Sequence, residues 1–267
     1  MILEFIYAIH ATPRASWSRT CGALSRSKRR RCYHFRPPYP EETFDLLVSL
    51  ITDEPRTVLD VGSGSGDIAR RLVDRVERVD AADFSLPMIE KGKTLPNGTH
   101  PRLRWIYGPM EEAPLDPPYA LITAGQSMHW MDWDIVLPRF RAALTPHGYV
   151  ALVGIEGTLP WDDEIPPIIK RYSTNPRYQP VDLIAEWKAR KLFEKEGEKV
   201  TAPVYFAQPL DAYIASFHGR SSLSREHMGS EAAAAFDDEV REVVIKYLAD
   251  EVVGGEIYAT IVWGRPV

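Results

Sequence analysis

Thr57–Leu72 reads TVLDVGSGSGDIARRL. A short apolar run ends at Val61, three glycines follow at alternate positions (Gly62, Gly64, Gly66), and a segment of helical character begins at Asp67. A backbone that must approach a ligand closely, turn sharply and open a helix needs residues without side chains, so this is a nucleotide-holding turn in outline. Its spacing is D-x-G-x-G-x-G. Dinucleotide folds use G-x-G-x-x-G, with the pyrophosphate resting on a helix N-terminus. Asp60 brings a negative charge to the turn, which suits an ammonium or sulfonium better than a pyrophosphate. The first basic residue after the glycines is Arg70. The ligand implied is cationic or zwitterionic, with a nucleoside attached.

Outward from this turn the chain alternates. EETFDLLVSLI places Phe44, Leu47, Val48 and Ile51 at helical spacing with acids at its start. RTVLDVG reads as a buried strand, DIARRLVDRV as a helix and RVDAAD as a strand. SLPMIEKGKTL reads as a helix capped by Ser85 with Pro87 in its first turn. LRWIYG, YALITAG and HGYVALVG read as further strands, and WDIVLPRFRAAL as a helix. Strands alternating with helices predict a parallel sheet of right-handed crossovers, a doubly wound α/β domain through Gly154. Residues 155–199 are rich in Trp, Pro and charge and read as a helical insertion over the carboxyl ends of the sheet, where open α/β sheets bind ligands. A strand-like KVTAPVYFAQ, a helix LDAYIASFHG, a long helix over about 224–253 and a last strand EIYATIVWG complete the reading.

The chain has 267 residues, 45% hydrophobic and 26% charged, enough for one globular domain with a sizeable core. Net charge is -5, which implies no general affinity for nucleic acid or an anionic membrane. The charge is unevenly spread. Residues 1–40 hold eight basic residues against the single acid Glu4, giving +7 and leaving -12 for the rest. Residues 1–34 therefore read as a basic leader, and its SRSKRRR run has two readings, a solvated leader or a localisation or nucleic-acid patch. No apolar run approaches the ~20 residues that span a bilayer. Cys21 and Cys32 are the only cysteines, and neither has metal-ligand or disulfide-framework spacing. Neither a metal nor a membrane is expected, and a cytoplasmic setting is the default.

The nucleoside half of the ligand is addressed by Asp83, at the end of the second strand and about 20 residues beyond Gly62, where an acid can accept two ribose hydroxyls. Asp80 is its competitor. Asp83 is preferred because Phe84 and Ser85 open the next helix directly.

Taken in order, VLDVGSGSG, DFSLPMI, GPMEEAPL, ALITAGQSMHWMDW and FRAALTPHGYVAL resemble the class I S-adenosylmethionine-dependent methyltransferases of the type 11 group. The resemblance covers Phe44 to Gly154 and implies a seven-stranded, Rossmann-like methyltransferase fold spanning 35–267. It implies S-adenosylmethionine as methyl donor. Asp60, Gly62, Gly64 and Gly66 would hold its methionine half and Asp83 its ribose. Phe84 and Met88 would border the adenine, with Met110 and Glu111 at its edge. The chain departs from the usual GDAEDLPF pattern by carrying Pro109 and Met110. The family's RPxYP segment corresponds to Arg36 and Tyr39, which would close over the cofactor, Arg36 pairing with its carboxylate.

Methyl transfer from a sulfonium is an in-line displacement, so the protein must align donor and acceptor, exclude water and, for a weak acceptor, take a proton. His129 follows the fourth strand and is a candidate general base; its other reading, with Trp130, is packing over the cofactor. Gln126 would bond the methionine part through the same loop. Candidate acceptor residues are Trp130, Glu156, Trp161, His218 and Arg220, joined by Tyr172, Trp187 and Ser221 nearby in sequence. Arg220 would suit an anionic acceptor and the aromatics a planar one.

The reading is a methyltransferase acting on a small-molecule oxygen, nitrogen or carboxylate, as monomer or homodimer, with no nucleic-acid partner. A nicotinamide-dependent oxidoreductase would need the G-x-G-x-x-G turn, which the chain lacks. A non-catalytic binding protein that keeps the fold is the remaining rival.

Overall fold

The computed structural model describes residues 36–175 and 181–267. The expected basic leader, with Cys21 and Cys32, lies outside the described residues.

The elements in chain order are α1 (Glu42–Ser49), β1 (Thr57–Val61), α2 (Ala69–Leu72), β2 (Arg78–Asp83), α3 (Leu86–Lys93), β3 (Leu103–Tyr107) and β4 (Tyr119–Gly125). After a 3₁₀ turn at Met128–Trp130 come α4 (Trp133–Ala143), β5 (Leu144–Thr158), α5 (Ile165–Tyr172), α6 (Leu183–Ala189), β6 (Phe193–Val200) and β7 (Val204–Pro209). Then follow α7 (Leu210–Phe217), α8 (Arg225–Met228), α9 (Ser230–Val244) and β8 (Val252–Pro266).

The sheet runs β3-β2-β1-β4-β5-β8-β6, and β7 also pairs with β8. β3, β2, β1, β4 and β5 are mutually parallel, while β8 is antiparallel to β5, β6 and β7. The expected seven-stranded path is present, with β7 as an eighth strand. Strand order reverses between β1 and β4, and the crevice outside the carboxyl ends of strands at such a reversal is where open α/β sheets hold ligands.

β1 is buried at all five positions because helices cover both faces of a parallel sheet. Leu59 and Val61 face one core with Ile122, Val150 and Leu152; Val58 faces the other with Leu121, Ala151 and Val153. α4 closes the first face with Trp133, Val136, Leu137 and Phe140, a helical stripe at i, i+3, i+4 and i+7. Asp132 caps this helix by accepting the Asp134 N–H.

Several boundaries differ from the sequence expectation. The helix expected over 67–76 is one turn, α2. The stretch 155–199 is divided: 155–158 continue β5, and 193–199 belong to β6. α6, between them, buries Leu183 and Trp187 against Trp133 and Phe193 in the sheet's own core. The expected helix over 224–253 breaks at Gly229, whose φ of 82° is outside the helical region, and β8 claims its last residues.

A separate helical core forms from α5, α7 and α9, where Trp161, Ile165, Leu210, Phe217, Phe236 and Val240 are buried together. Its segments follow the carboxyl end of β5 and precede β8. Both attachments lie at the sheet edge where β1, β2 and β4 also end.

Candidate active site

The glycine turn has the backbone its sequence called for. Gly62, Gly64 and Gly66 have φ of 62°, 57° and 78°, the left-handed region that side chains disfavour. A Cβ at Gly62 would lie 2.5 Å from Ser127 Cβ, and one at Gly66 would lie 2.6 Å from Trp105 Cη2. The Ser127 hydroxyl donates to Val61 O at 2.5 Å, so the end of β1 and the loop after β4 are locked together above the turn.

Asp60 is only 1% exposed and does not face a ligand. Its carboxylate accepts from Thr123 Oγ1 at 2.9 Å and from the Ala69 N–H at 3.2 Å. Burial pushes its pKa up to about 7 against these two bonds. This corrects the expectation of direct contact with the methionine half: Asp60 positions the turn by tying β1 to β4 and to the start of α2.

Asp83 stands at the carboxyl end of β2, where one oxygen accepts the Gly64 N–H at 2.7 Å and the other the Ser85 N–H at 2.7 Å. It therefore holds the glycine turn against the start of α3, and each oxygen keeps a lone pair for a further donor. Burial raises its pKa. Asp80, the competitor, is consumed by the fold: Arg104 grips it at 2.9 and 2.6 Å and the Tyr119 hydroxyl donates to it at 2.6 Å. Ser85 occupies the N-cap position of α3 without a side-chain capping bond.

Around Asp83, Phe84 is 53% exposed and Met88 half-buried, as an apolar wall open to a ligand requires. Met110 departs from expectation: it is 4% exposed and packs in the sheet core, because the loop after β3 turns it inward while its carbonyl accepts from Arg139. Glu111 accepts the Asp132 N–H at 2.8 Å and so fastens that loop to the start of α4.

On the opposite side, the Arg36 guanidinium donates to Gln126 Oε1 at 3.4 Å. A Cβ at Gly125 would meet the Tyr39 hydroxyl at 2.9 Å, which puts the RPPYP segment across the end of β4. Gln126 has φ of 53°, rare for a residue with a side chain and a mark of constrained backbone at functional sites. His129, on the 3₁₀ turn, packs against Trp130 with the rings tilted by 43° and 5.0 Å between centroids. Burial, and then the Arg36 charge, push its pKa down to about 4, so the imidazole is neutral at pH 7. Trp130 is 43% exposed.

The expected acceptor residues separate. Trp161 is buried at 1% exposure, its indole N–H donating to the Tyr213 hydroxyl at 2.9 Å. His218 is buried between Leu223 O at 2.6 Å and Asp237 Oδ1 at 2.7 Å. Both belong to the helical core, because a chain that builds a second small core must spend its large side chains on it. Trp187 is core as well, and Tyr172 is half-buried with its hydroxyl donating to Glu239. Arg220 is exposed and lies over the Phe217 ring. Glu156 remains at the carboxyl end of β5, half-buried. It accepts from Thr260 Oγ1 at 2.8 Å and from the Tyr258 hydroxyl at 3.4 Å.

Sequence reasoning missed Thr123, Ser127, Tyr258 and Thr260. Thr123 carried a signal, a polar residue within the apolar strand YALITAG; the other three act across strands whose pairing no local pattern announces.

The residues present suit S-adenosylmethionine. The glycine turn is a cradle that side chains would fill, Asp83 has free lone pairs beside an apolar wall, Arg36 offers a cation, and Ser63 Oγ in the turn is buried with no hydrogen-bond partner among the described residues. Among the same residues no group of three or more His, Cys, Asp or Glu is placed to hold a metal, and no helix is long and apolar enough to cross a membrane.

Comparison with known proteins agrees. Residues 58–148 match the model of a methyltransferase domain family. An uncharacterized methyltransferase of Mycobacterium tuberculosis is 34% identical over 139 residues, 51% of this chain and 54% of that protein. The malonyl-[acyl-carrier protein] O-methyltransferase of Halalkalibacterium halodurans is 31% identical over 103 residues, 36% of this chain and 38% of that protein. This chain thus spans about half the length, or less, of these curated relatives. A solved structure from Anaeromyxobacter dehalogenans bearing the name of a type II methyltransferase shares the fold, with a TM-score of 0.58 at 23% identity over 86% of this chain and 97% of that one. The strand order is that of the shared fold, and the three left-handed glycines and Asp83 lie within residues 58–148, the stretch that is similar to a methyltransferase domain.

Proposed function

We propose that the protein transfers a methyl group from S-adenosylmethionine to a small-molecule acceptor bound between the carboxyl edge of the sheet and the helical unit of α5, α7 and α9. The observation that carries this reading is the turn of three left-handed glycines bonded to Asp83 through the Gly64 N–H at 2.7 Å. Asp83 offers its remaining lone pairs to the ribose hydroxyls, Phe84 and Met88 flank the adenine, and Arg36 pairs with the amino-acid carboxylate, supported by Gln126 and covered by Tyr39. Bound S-adenosylmethionine supplies a methyl group on a sulfonium that leaves as a neutral thioether.

The protein's own work is alignment and exclusion of water. His129 has a role narrower than a general base. With a pKa near 4 it is unprotonated throughout the physiological range and accepts a hydrogen bond from the acceptor's N–H or O–H. It is too weak a base to hold that proton efficiently at pH 7. Trp130, half exposed beside it, and Glu156 contact the acceptor, and Arg220 lies at the outer margin of the helical unit.

Calorimetry with S-adenosylmethionine and S-adenosylhomocysteine tests the reading. One-to-one binding of both is expected; binding of neither overturns it. His129→Gln is expected to lower turnover while leaving cofactor affinity in place, whereas wild-type turnover would assign His129 to packing.

A further inference from the structure

Glu156 is the acid in the candidate site that the fold does not consume. Its Oε1 would lie 3.9 Å from a Cβ at Gly154, so the carboxylate folds back over the end of β5. That level of the sheet adjoins Gln126, whose N–H donates to Val153 O at 3.2 Å. Its two donors, Thr260 and Tyr258, are neutral hydroxyls on β8, and no ion pair to Glu156 forms among the described residues. A second acid stands close by: burial is the main cause of the raised pKa of Tyr258 and Tyr213, and Asp162, at the start of the helical unit, adds a smaller contribution to both by its charge. Asp162 accepts the Leu159 N–H at 2.8 Å and likewise forms no ion pair among the described residues. A half-buried carboxylate without a cation is costly, and a ligand that brings the cation recovers that cost.

We propose, resting on the methyltransferase reading above, that the acceptor is an amine and that Glu156 is its recognition carboxylate. The amine binds against Glu156 as its ammonium and gives up one N–H proton to water. The freed nitrogen lone pair forms the new carbon–nitrogen bond as the methyl carbon's bond to the donor sulfur breaks, that electron pair staying on sulfur. The product is the N-methylated ammonium, which leaves with the neutral thioether. Asp162 adds negative charge from the helical side, and the hydroxyls of Tyr258 and Thr260 fix the rotamer of Glu156.

The test uses the full chain, wild type and Glu156→Gln, with a library of small primary and secondary amines including benzylamine, set against the shape-matched benzoate and phenol. Two quantities are read: formation of S-adenosylhomocysteine, and calorimetric affinity for the amine in the presence of S-adenosylhomocysteine. Methylation of amines but not of benzoate or phenol is expected. Glu156→Gln should lower kcat/KM for the amine about tenfold or more, chiefly through KM, the span of a lost charge-assisted contact. It should weaken amine affinity and leave S-adenosylhomocysteine affinity unchanged. A library in which no amine is methylated, methylation of benzoate or phenol instead, or an undiminished Glu156→Gln overturns the assignment. Equal loss of cofactor affinity in Glu156→Gln also overturns it, since the acid would then serve the donor. A wild-type protein that binds neither S-adenosylmethionine nor S-adenosylhomocysteine fails the underlying reading instead, so the two failures are distinct.

Discussion

The glycine turn and the helical unit stand on the same edge of the sheet, yet they are built on opposite terms. Around the turn the constraint lies in the backbone: three positive φ angles and two Cβ positions filled by Ser127 and Trp105. In the helical unit the constraint lies in side-chain volume, with Trp161, Phe217 and Phe236 packed into a core of their own. Three alternate glycines all held at positive φ mark a tight turn that excludes side chains, and that is visible in their spacing. An aromatic residue serves a core and a ligand pocket equally well until its neighbours are known.

That contrast can be broken by mutation. Trp161→Ala should have the largest effect, about 3–5 kcal/mol of stability from the cavity it leaves, read as a lowered denaturant midpoint. Unchanged stability with lost turnover would return Trp161 to the acceptor site and erase the distinction between the two regions. Gly62→Ala should cost about 1–2 kcal/mol for the left-handed backbone and about 1–3 kcal/mol for the contact with Ser127, with cofactor binding lost as well. A fully stable Gly62→Ala that binds cofactor would show the turn to be slack.

Asp83→Ala sharpens the contrast from the ligand side. Removing the ribose acceptor should cost about 1.5–3 kcal/mol of cofactor affinity, whereas Arg220→Ala on the helical unit should leave that affinity untouched. Equal losses would merge the two regions into one site.

A pH-dependent effect concerns His129. Its pKa is lowered from 6.5 to about 4 in the folded protein, so between those values the unfolded chain takes up a proton that the folded one refuses. Its contribution to stability is therefore present above pH 6.5 and lost as pH falls toward 4. Equilibrium unfolding across that window should show a shallower slope for His129→Gln. In Arg36→Ala, NMR titration should find the imidazole pKa raised yet still below 6.5, because burial is the larger cause and the Arg36 charge the smaller.

Legibility in the sequence followed the same division. The alternation from Thr57 to Gly154 and the doubly wound parallel sheet were readable, since strand ends and glycine spacing are local features. Asp60 was readable as important but not as to why: only the fold brings Thr123 and the Ala69 N–H to its carboxylate. Met110 misled because one residue's turn in a loop decides between ligand and core. The stretch 193–197, FEKEG, reads as part of the helical insertion and is an edge strand by pairing with β8, an antiparallel partner 60 or more residues later. Trp161 and His218 were chosen by type alone, and type alone does not separate a second core from a binding surface.

If Asp83 and the glycine turn form one cofactor-holding unit, titration calorimetry of S-adenosylhomocysteine will find one-to-one binding to the wild type and an affinity about ten- to a hundredfold weaker in an equally folded Asp83→Ala; equal affinities in the two proteins would mean that they do not.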